Sequence, residues 1–195
     1  SSIDYYGRWK ALQYYARRAY AQILASPYFA EDGNVSVKIV SDMTDDFKGI
    51  LEAYVMDFDG NVIQSWSNAC LIEAGQSKDC LAISSELLSG NVFLYVRITD
   101  GDDILIENTF FSRYPKDYEC RKPDIKAEAL SDGEGLELTL STDTLVRCLY
   151  ICTDDENDDF SDNYFTLIPG FPRKIRVSTD KTVEKLYTTL KYQTL

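Results

Sequence analysis

From Asn34 onward, apolar residues recur at every second position, in short runs broken by turn-forming residues. Val35, Val37 and Ile39 point one way and Ser36 and Lys38 the other. Val92, Leu94, Val96 and Ile98 alternate with Phe93, Tyr95 and Arg97. Leu136, Leu138 and Leu140 alternate with Glu137, Thr139 and Ser141. A period of two puts successive side chains on opposite faces of a strand, so one face is buried and one is left polar. The same reading places strands at Gly49–Phe58, Val62–Ser67, Cys80–Ile83, Ile104–Phe111, Ile125–Ala129, Leu145–Cys152, Tyr164–Leu167, Arg173–Val177 and Leu186–Tyr192. Asp59-Gly60-Asn61 and Asp100-Gly101-Asp102 stand between such runs, and Asp-Gly between apolar runs is a hairpin signal because Gly accepts a positive φ. Short strands about ten residues apart, separated by turns, pack as sandwiches.

The N-terminal residues, up to Pro27, follow another rule. Tyr5, Trp9, Leu12, Ala16, Ala19 and Ile23 recur in steps of three and four, the spacing of one helix face, and Pro27 marks a stop. Ser1 or Ser2 is the expected cap, with Asp4 near the positive end. The expected fold class is therefore mainly β: two tandem immunoglobulin-like β-sandwich domains preceded by one N-terminal α-helix. The expected boundaries are 1–27 for the helix, 28–114 for the first sandwich, 115–121 for a linker with Pro115, and 122–195 for the second sandwich. A lone aromatic helix ahead of β-sandwiches reads as the last helix of an upstream domain. Its stripe is too apolar to face water. It should fold onto the first sandwich, self-associate through the helix with another copy, or fray.

Charge and residue inventory exclude several function classes. The net charge is −12, and residues 1–20 carry +3, so the remainder is strongly acidic. Such a surface repels phosphate backbones and anionic lipid, which argues against nucleic acid and membrane as partners. No apolar run approaches the ~20 residues of a membrane span. The chain has no His, which removes the usual general base and the commonest metal ligand. Cys70, Cys80, Cys120, Cys148 and Cys152 show no zinc or CxxC spacing, and read as small packing thiols, with a Cys70–Cys80 disulfide as the competing reading. No cofactor is expected.

Three constellations have some chemical content. The acidic run Asp154 to Asp162 has oxygens for a cation, but Asp159 stands where an EF-hand loop needs Gly, so a solvated loop is favoured. Phe93 and Tyr95 alternate against an inward Val/Leu face and are the candidates for stacking on sugar rings, against the plainer reading as cross-strand pairs. Asn34-Val35-Ser36 is a glycosylation sequon that matters only in a eukaryotic secretory pathway. A retaining glycosidase needs two carboxylates about 5–5.5 Å apart, and nothing in the sequence selects such a pair.

The segment Ser1-Ser2-Ile3-Asp4-Tyr5-Tyr6-Gly7-Arg8-Trp9-Lys10-Ala11-Leu12-Gln13-Tyr14 resembles the end of the catalytic barrel in β-mannosidases of glycoside hydrolase family 2. Asp162-Asn163-Tyr164-Phe165-Thr166-Leu167-Ile168-Pro169-Gly170 is similar to a stretch of that family's C-terminal immunoglobulin-like domain, and Tyr114-Pro115-Lys116 resembles its domain junction. The resemblance implies that residues 1–27 hold the last helix of a (β/α)8 barrel. It also implies that the parent enzyme hydrolyses terminal β-linked mannose with retention, using two barrel Glu residues, the acid/base preceded by Asn. No Asn-Glu dipeptide occurs here, so both catalytic residues are expected upstream of Ser1 and no catalytic residue is assigned. The implied role is a non-catalytic accessory fragment that supports the barrel, its partner in the same polypeptide; the alternative is an independent carbohydrate-binding module for mannose-containing glycans. Trp9, Asn163, Tyr164, Phe165, Leu167, Pro169 and Gly170 are the expected architectural residues. The family's compartments, periplasmic or secreted and alternatively lysosomal, are both open.

Overall fold

The computed structural model describes residues 1–101, 103–131 and 135–194. Asp102, in the expected Asp100-Gly101-Asp102 turn, lies outside the described residues. Two compact units form: Arg18–Glu119, and Ser1–Arg17 together with Cys120–Leu195.

The helix α1 spans Ala11–Ala19, a shorter element than the sequence suggested. Residues 1–10 fold otherwise for a local reason. The Asp4 carboxylate accepts the backbone N–H groups of Tyr6 (2.8 Å) and Arg8 (3.0 Å), and Gly7 takes φ +86°. A short acidic side chain that bonds the backbone just ahead of it competes with helix formation. The segment instead closes into a small loop through the Ile3–Trp9 bridge and Lys10 N–H to the Ser2 carbonyl. The expected stripe is consequently not a buried face: Tyr5 is 95% exposed and Leu12 60%. The buried residue of α1 is Tyr14.

In the unit Arg18–Glu119, β1 (Ile23–Phe29), β2 (Val35–Ser41) and β5 (Ser77–Ile83) form one antiparallel sheet in the order β1-β2-β5. The strands β3 (Phe47–Asp57), β4 (Val62–Ile72), β6 (Val92–Asp100) and β7 (Asp103–Phe110) form the other, in the order β4-β3-β6-β7. β1 went unread in the sequence because its residues fit the tail of the helix stripe. Ile23 and Ala25 face the core, and Pro27, expected to end a helix, sits opposite Val37 on an edge strand, where proline is tolerated. The core joins Val35, Val37 and Ile39 to Leu51, Ala53 and Val55 and to Leu94, Val96 and Ile98. This unit continues through the expected linker: Pro115–Asp117 forms a 3-10 turn, and Tyr118 is buried against Phe58 and Phe111.

In the other unit, β8 (Ile125–Ser131), β9 (Leu136–Thr142), β11 (Asp159–Phe160) and β13 (Arg173–Ser178) form the sheet β11-β13-β9-β8. β10 (Val146–Cys152) pairs with β12 (Phe165–Leu167) on one side and with β14 (Lys191–Gln193) on the other. Leu138, Leu140, Leu149, Ile151 and Leu167 are fully buried between them. The strand expected at Leu186–Tyr192 is replaced by α2 (Val183–Thr189) running into β14. Thr182 caps α2 by accepting the Lys185 N–H, and Leu186 and Thr189, one turn apart, are its buried residues.

Candidate functional site

The Asp162–Gly170 stretch carries one of the polar clusters of the second unit. Asp162, 8% exposed, accepts from Arg17 Nη2 of α1 (3.0 Å) and from Arg173 Nη2 of β13 (2.6 Å). Asn163, 3% exposed, behaves as a piece of strand: its Oδ1 accepts the Ile151 N–H (2.8 Å) and its Nδ2 donates to the Ile151 carbonyl (2.8 Å). Tyr164 takes φ +53°, a conformation uncommon for non-glycine residues. That turn lays its ring on Tyr150 (centroids 4.8 Å, 25° between planes) and within 5.8 Å of Tyr14. Phe165 and Leu167 enter the core, and Ile168-Pro169-Gly170-Phe171 closes with Phe171 N–H to the Ile168 carbonyl, Gly170 at φ +81°. Proline followed by a positive-φ glycine is the type II arrangement.

The expected motif residues are thereby brought together with the N-terminal segment. Trp9 packs edge-on against Tyr14 (5.3 Å), and Arg17 lies over both rings at 5.4 and 5.8 Å. Arg8 pairs with Asp4 (2.6 Å) and with Glu156 of the acidic loop. Burial, reinforced by the charges of Asp159 and Asp162, pushes the Tyr14 hydroxyl up to about 12. Arg17 and Arg173, which complete this clamp, went unassigned in the sequence. Nothing in their local pattern separates them from solvated cations.

The acidic loop proves to be organised by a cation of its own chain. Lys181 Nζ lies 2.6 Å from Asp158 and 3.5 and 3.8 Å from Asp154 and Asp155. Asp158 also accepts from the hydroxyls of Thr153 and Thr179. Burial opposes ionisation of Asp158, but the hydrogen bonds from Lys181, Thr153 and Thr179 outweigh it and hold the carboxyl below the usual range. Among the described residues no group of three or more His, Cys, Asp or Glu is arranged to hold a metal ion.

Phe93 and Tyr95 are not available for stacking on sugar. They are 0% and 1% exposed. Phe93 packs on Phe58 and Phe111, and Tyr95 stacks on Tyr54 with its hydroxyl donating to Glu107 (2.8 Å). The same face carries the Arg97–Glu52 pair (2.6 Å), so its partly buried carboxylates are engaged in holding neighbours. The five cysteines are free thiols, so the Cys70–Cys80 bridge is not formed. Burial raises the Cys70 thiol, which donates to the Gly49 carbonyl (3.3 Å).

Comparison with known proteins agrees with this architecture. A family described as the Mannosidase Ig/CBM-like domain matches residues 33–117, and a mannosidase Ig-fold domain family matches residues 120–195. Beta-mannosidase A of Aspergillus fumigatus is 26% identical over 200 residues, covering 90% of this chain and 21% of that protein. Beta-mannosidase A of Aspergillus clavatus is 27% identical over 199 residues, with the same coverage. The chain thus spans about a fifth of the length of these relatives. Among solved structures, a β-D-mannosidase from Dictyoglomus thermophilum superposes with TM-score 0.87 at 23% identity, covering 100% of this chain and 24% of that one. An exo-chitosanase of Amycolatopsis orientalis gives TM-score 0.68 at 12% identity, covering 100% and 28%. At these identities the structural matches speak for the fold.

Proposed function

Because the chain belongs to the C-terminal immunoglobulin-like region of the β-mannosidases of glycoside hydrolase family 2, we propose that it is the non-catalytic accessory part of a β-mannosidase-like retaining hydrolase and supports the upstream catalytic barrel. The observation that carries this reading is the clamp around Asp162. It ties residues 1–17, the segment that resembles the end of the barrel, into the same compact unit as the C-terminal sandwich. A sandwich fixed to the last barrel segment is in a position to brace it. The exposed Tyr5, Tyr6 and Leu12 support the same reading, since apolar side chains this open are what a preceding domain would cover.

On this reading the 195-residue chain alone does not hydrolyse an aryl β-mannoside. Release of the aryl group above the uncatalysed rate, at a rate proportional to protein concentration, would overturn it. A polypeptide that joins this chain to an upstream barrel is expected to be active, and to lose thermal stability when Asp162 is replaced by Ala.

A further inference from the structure

Within the unit formed by Ser1–Arg17 and Cys120–Leu195 lies a cavity of about 850 Å³. One side is the Asp4–Lys10 loop and α1; the other is the outward face of β10 and the loop that follows it. Leu149 and Ile151 of β10 point into the core, so Tyr150 and Cys152 point the other way and line the cavity. Tyr150 and the stacked Tyr164 form an aromatic floor, with Trp9 and Tyr14 as an aromatic wall. Thr153 and Ser161 add hydroxyls, and Asp155, Glu156 and Asp159 add carboxylates at the rim.

The volume falls within the roughly 300–1,000 Å³ range of small-ligand sites. The lining then narrows the ligand class. Planar rings favour a ligand with a flat face, and a rim of mixed donors and acceptors favours one that carries hydroxyls at its edges. Five acidic against three basic side chains in the lining, in a chain of net charge −12, disfavour phosphates and other anions. So many charged groups at the rim equally disfavour an acyl chain. A pyranose meets each condition, with C–H groups on its faces and hydroxyls around its edge.

We propose that this cleft binds a short neutral oligosaccharide, stacked on Tyr150 and Trp9 and hydrogen-bonded to the rim. The site is distinct from Phe93 and Tyr95, whose rings are buried in the other unit. It also does not rest on the barrel-support reading, because the residues that line this open cleft all belong to one unit of the chain.

The test is calorimetric titration of the 195-residue chain with mannotetraose and cellotetraose. Saturable heat is expected with at least one. Trp9→Ala and Tyr150→Ala should each weaken binding by about tenfold or more, while Phe29→Ala, an exposed aromatic in the other unit, should leave it unchanged. Absence of heat with both glycans overturns the proposal, as does unchanged affinity in both cleft variants or equal loss in the Phe29 control. Should Tyr150→Ala fail to fold, a Trp66→Phe chain retains Trp9 as its sole indole. Its emission should shift on adding glycan and saturate with the calorimetric curve, and a flat emission response overturns the assignment. The hydrolysis assay above reads the barrel-support proposal separately, so either can fail alone.

Discussion

Asn163 shows how one side chain can stand in for a stretch of backbone. β12 begins only at Phe165, so the Ile151 N–H and carbonyl would otherwise face the motif without a ladder partner from it. The carboxamide offers one acceptor and one donor at 2.8 Å each, which satisfies both. Asn163→Ala is expected to cost about 3 kcal/mol, since two buried backbone groups lose their partner. Asn163→Asp should rescue little, because it keeps an acceptor for the N–H and sets a carboxylate against the carbonyl. Chemical denaturation of the three chains measures both effects, and equal stability of the Ala and parent chains would refute the assignment. Gly49 makes a related point about space. A Cβ there would lie 2.7 Å from the Phe47 ring and 3.0 Å from the Thr99 carbonyl, so the missing side chain is what lets the ring lie over the strand.

At the scale of elements, the acidic loop between β10 and β11 is held by an internal cation. The loop looks like a solvated run of carboxylates in the sequence, and the sequence gives no reason to pair it with Lys181, two dozen residues away. In the fold, Thr153, Thr179 and Lys181 converge on Asp158. Its carboxyl titrates below the usual value, so the contribution to stability is complete above the ordinary Asp pKa of about 4 and is lost as pH falls through the lower folded value. The Lys181 pKa is raised, chiefly by its hydrogen bond to Asp158, so this end of the pair persists up to strongly alkaline pH. Amide protection in residues 153–161, taken relative to the intrinsic exchange rate at each pH, should therefore fall on acidification below about pH 4, and Lys181→Met should show the same loss of protection at neutral pH. Protection that does not depend on pH, or that survives in Lys181→Met, would refute the clamp.

At the scale of the whole molecule, residues 1–17 share a unit with residues 120–195, and residues 18–119 form the other. The Asp162 clamp makes this arrangement testable. Arg17 is 44% exposed at its side chain and Arg173 only 20%, so the two arginines are not equivalent. Arg17→Ala should cost about 1 kcal/mol or less. Asp162→Ala should cost more, about 3 kcal/mol, because it leaves the less exposed Arg173 without this carboxylate. Limited proteolysis should then cut first around residues 18–22 in Asp162→Ala and leave the core of residues 120–194 intact. Simultaneous loss of both units would argue against the grouping.

Alternation of apolar and polar residues determined the mainly β fold by itself. A buried sheet face demands that period, and Val35–Ile39 and Leu136–Leu140 carry it without interruption, while β6 buries Phe93 and Tyr95 on its other face as well. The Asp162–Gly170 stretch stood out by its resemblance to a family motif rather than by alternation; its Pro-Gly turn is a local signal, whereas the positive φ of Tyr164 and its stacking on Tyr150 are not. What the sequence misplaced were elements whose local pattern is ambiguous. Ile23 closes a helical spacing, yet β2 offers Ile23–Phe29 a pairing edge, and Leu186–Tyr192 reads as a strand although a cap and one buried turn make Val183–Thr189 helical. The destinations of Tyr14, Arg17, Phe93 and Lys181 were decided by tertiary structure alone. Which ring is buried, and which ion finds its partner, depends on residues brought close by packing from distant positions in the chain, and no short-range pattern records that.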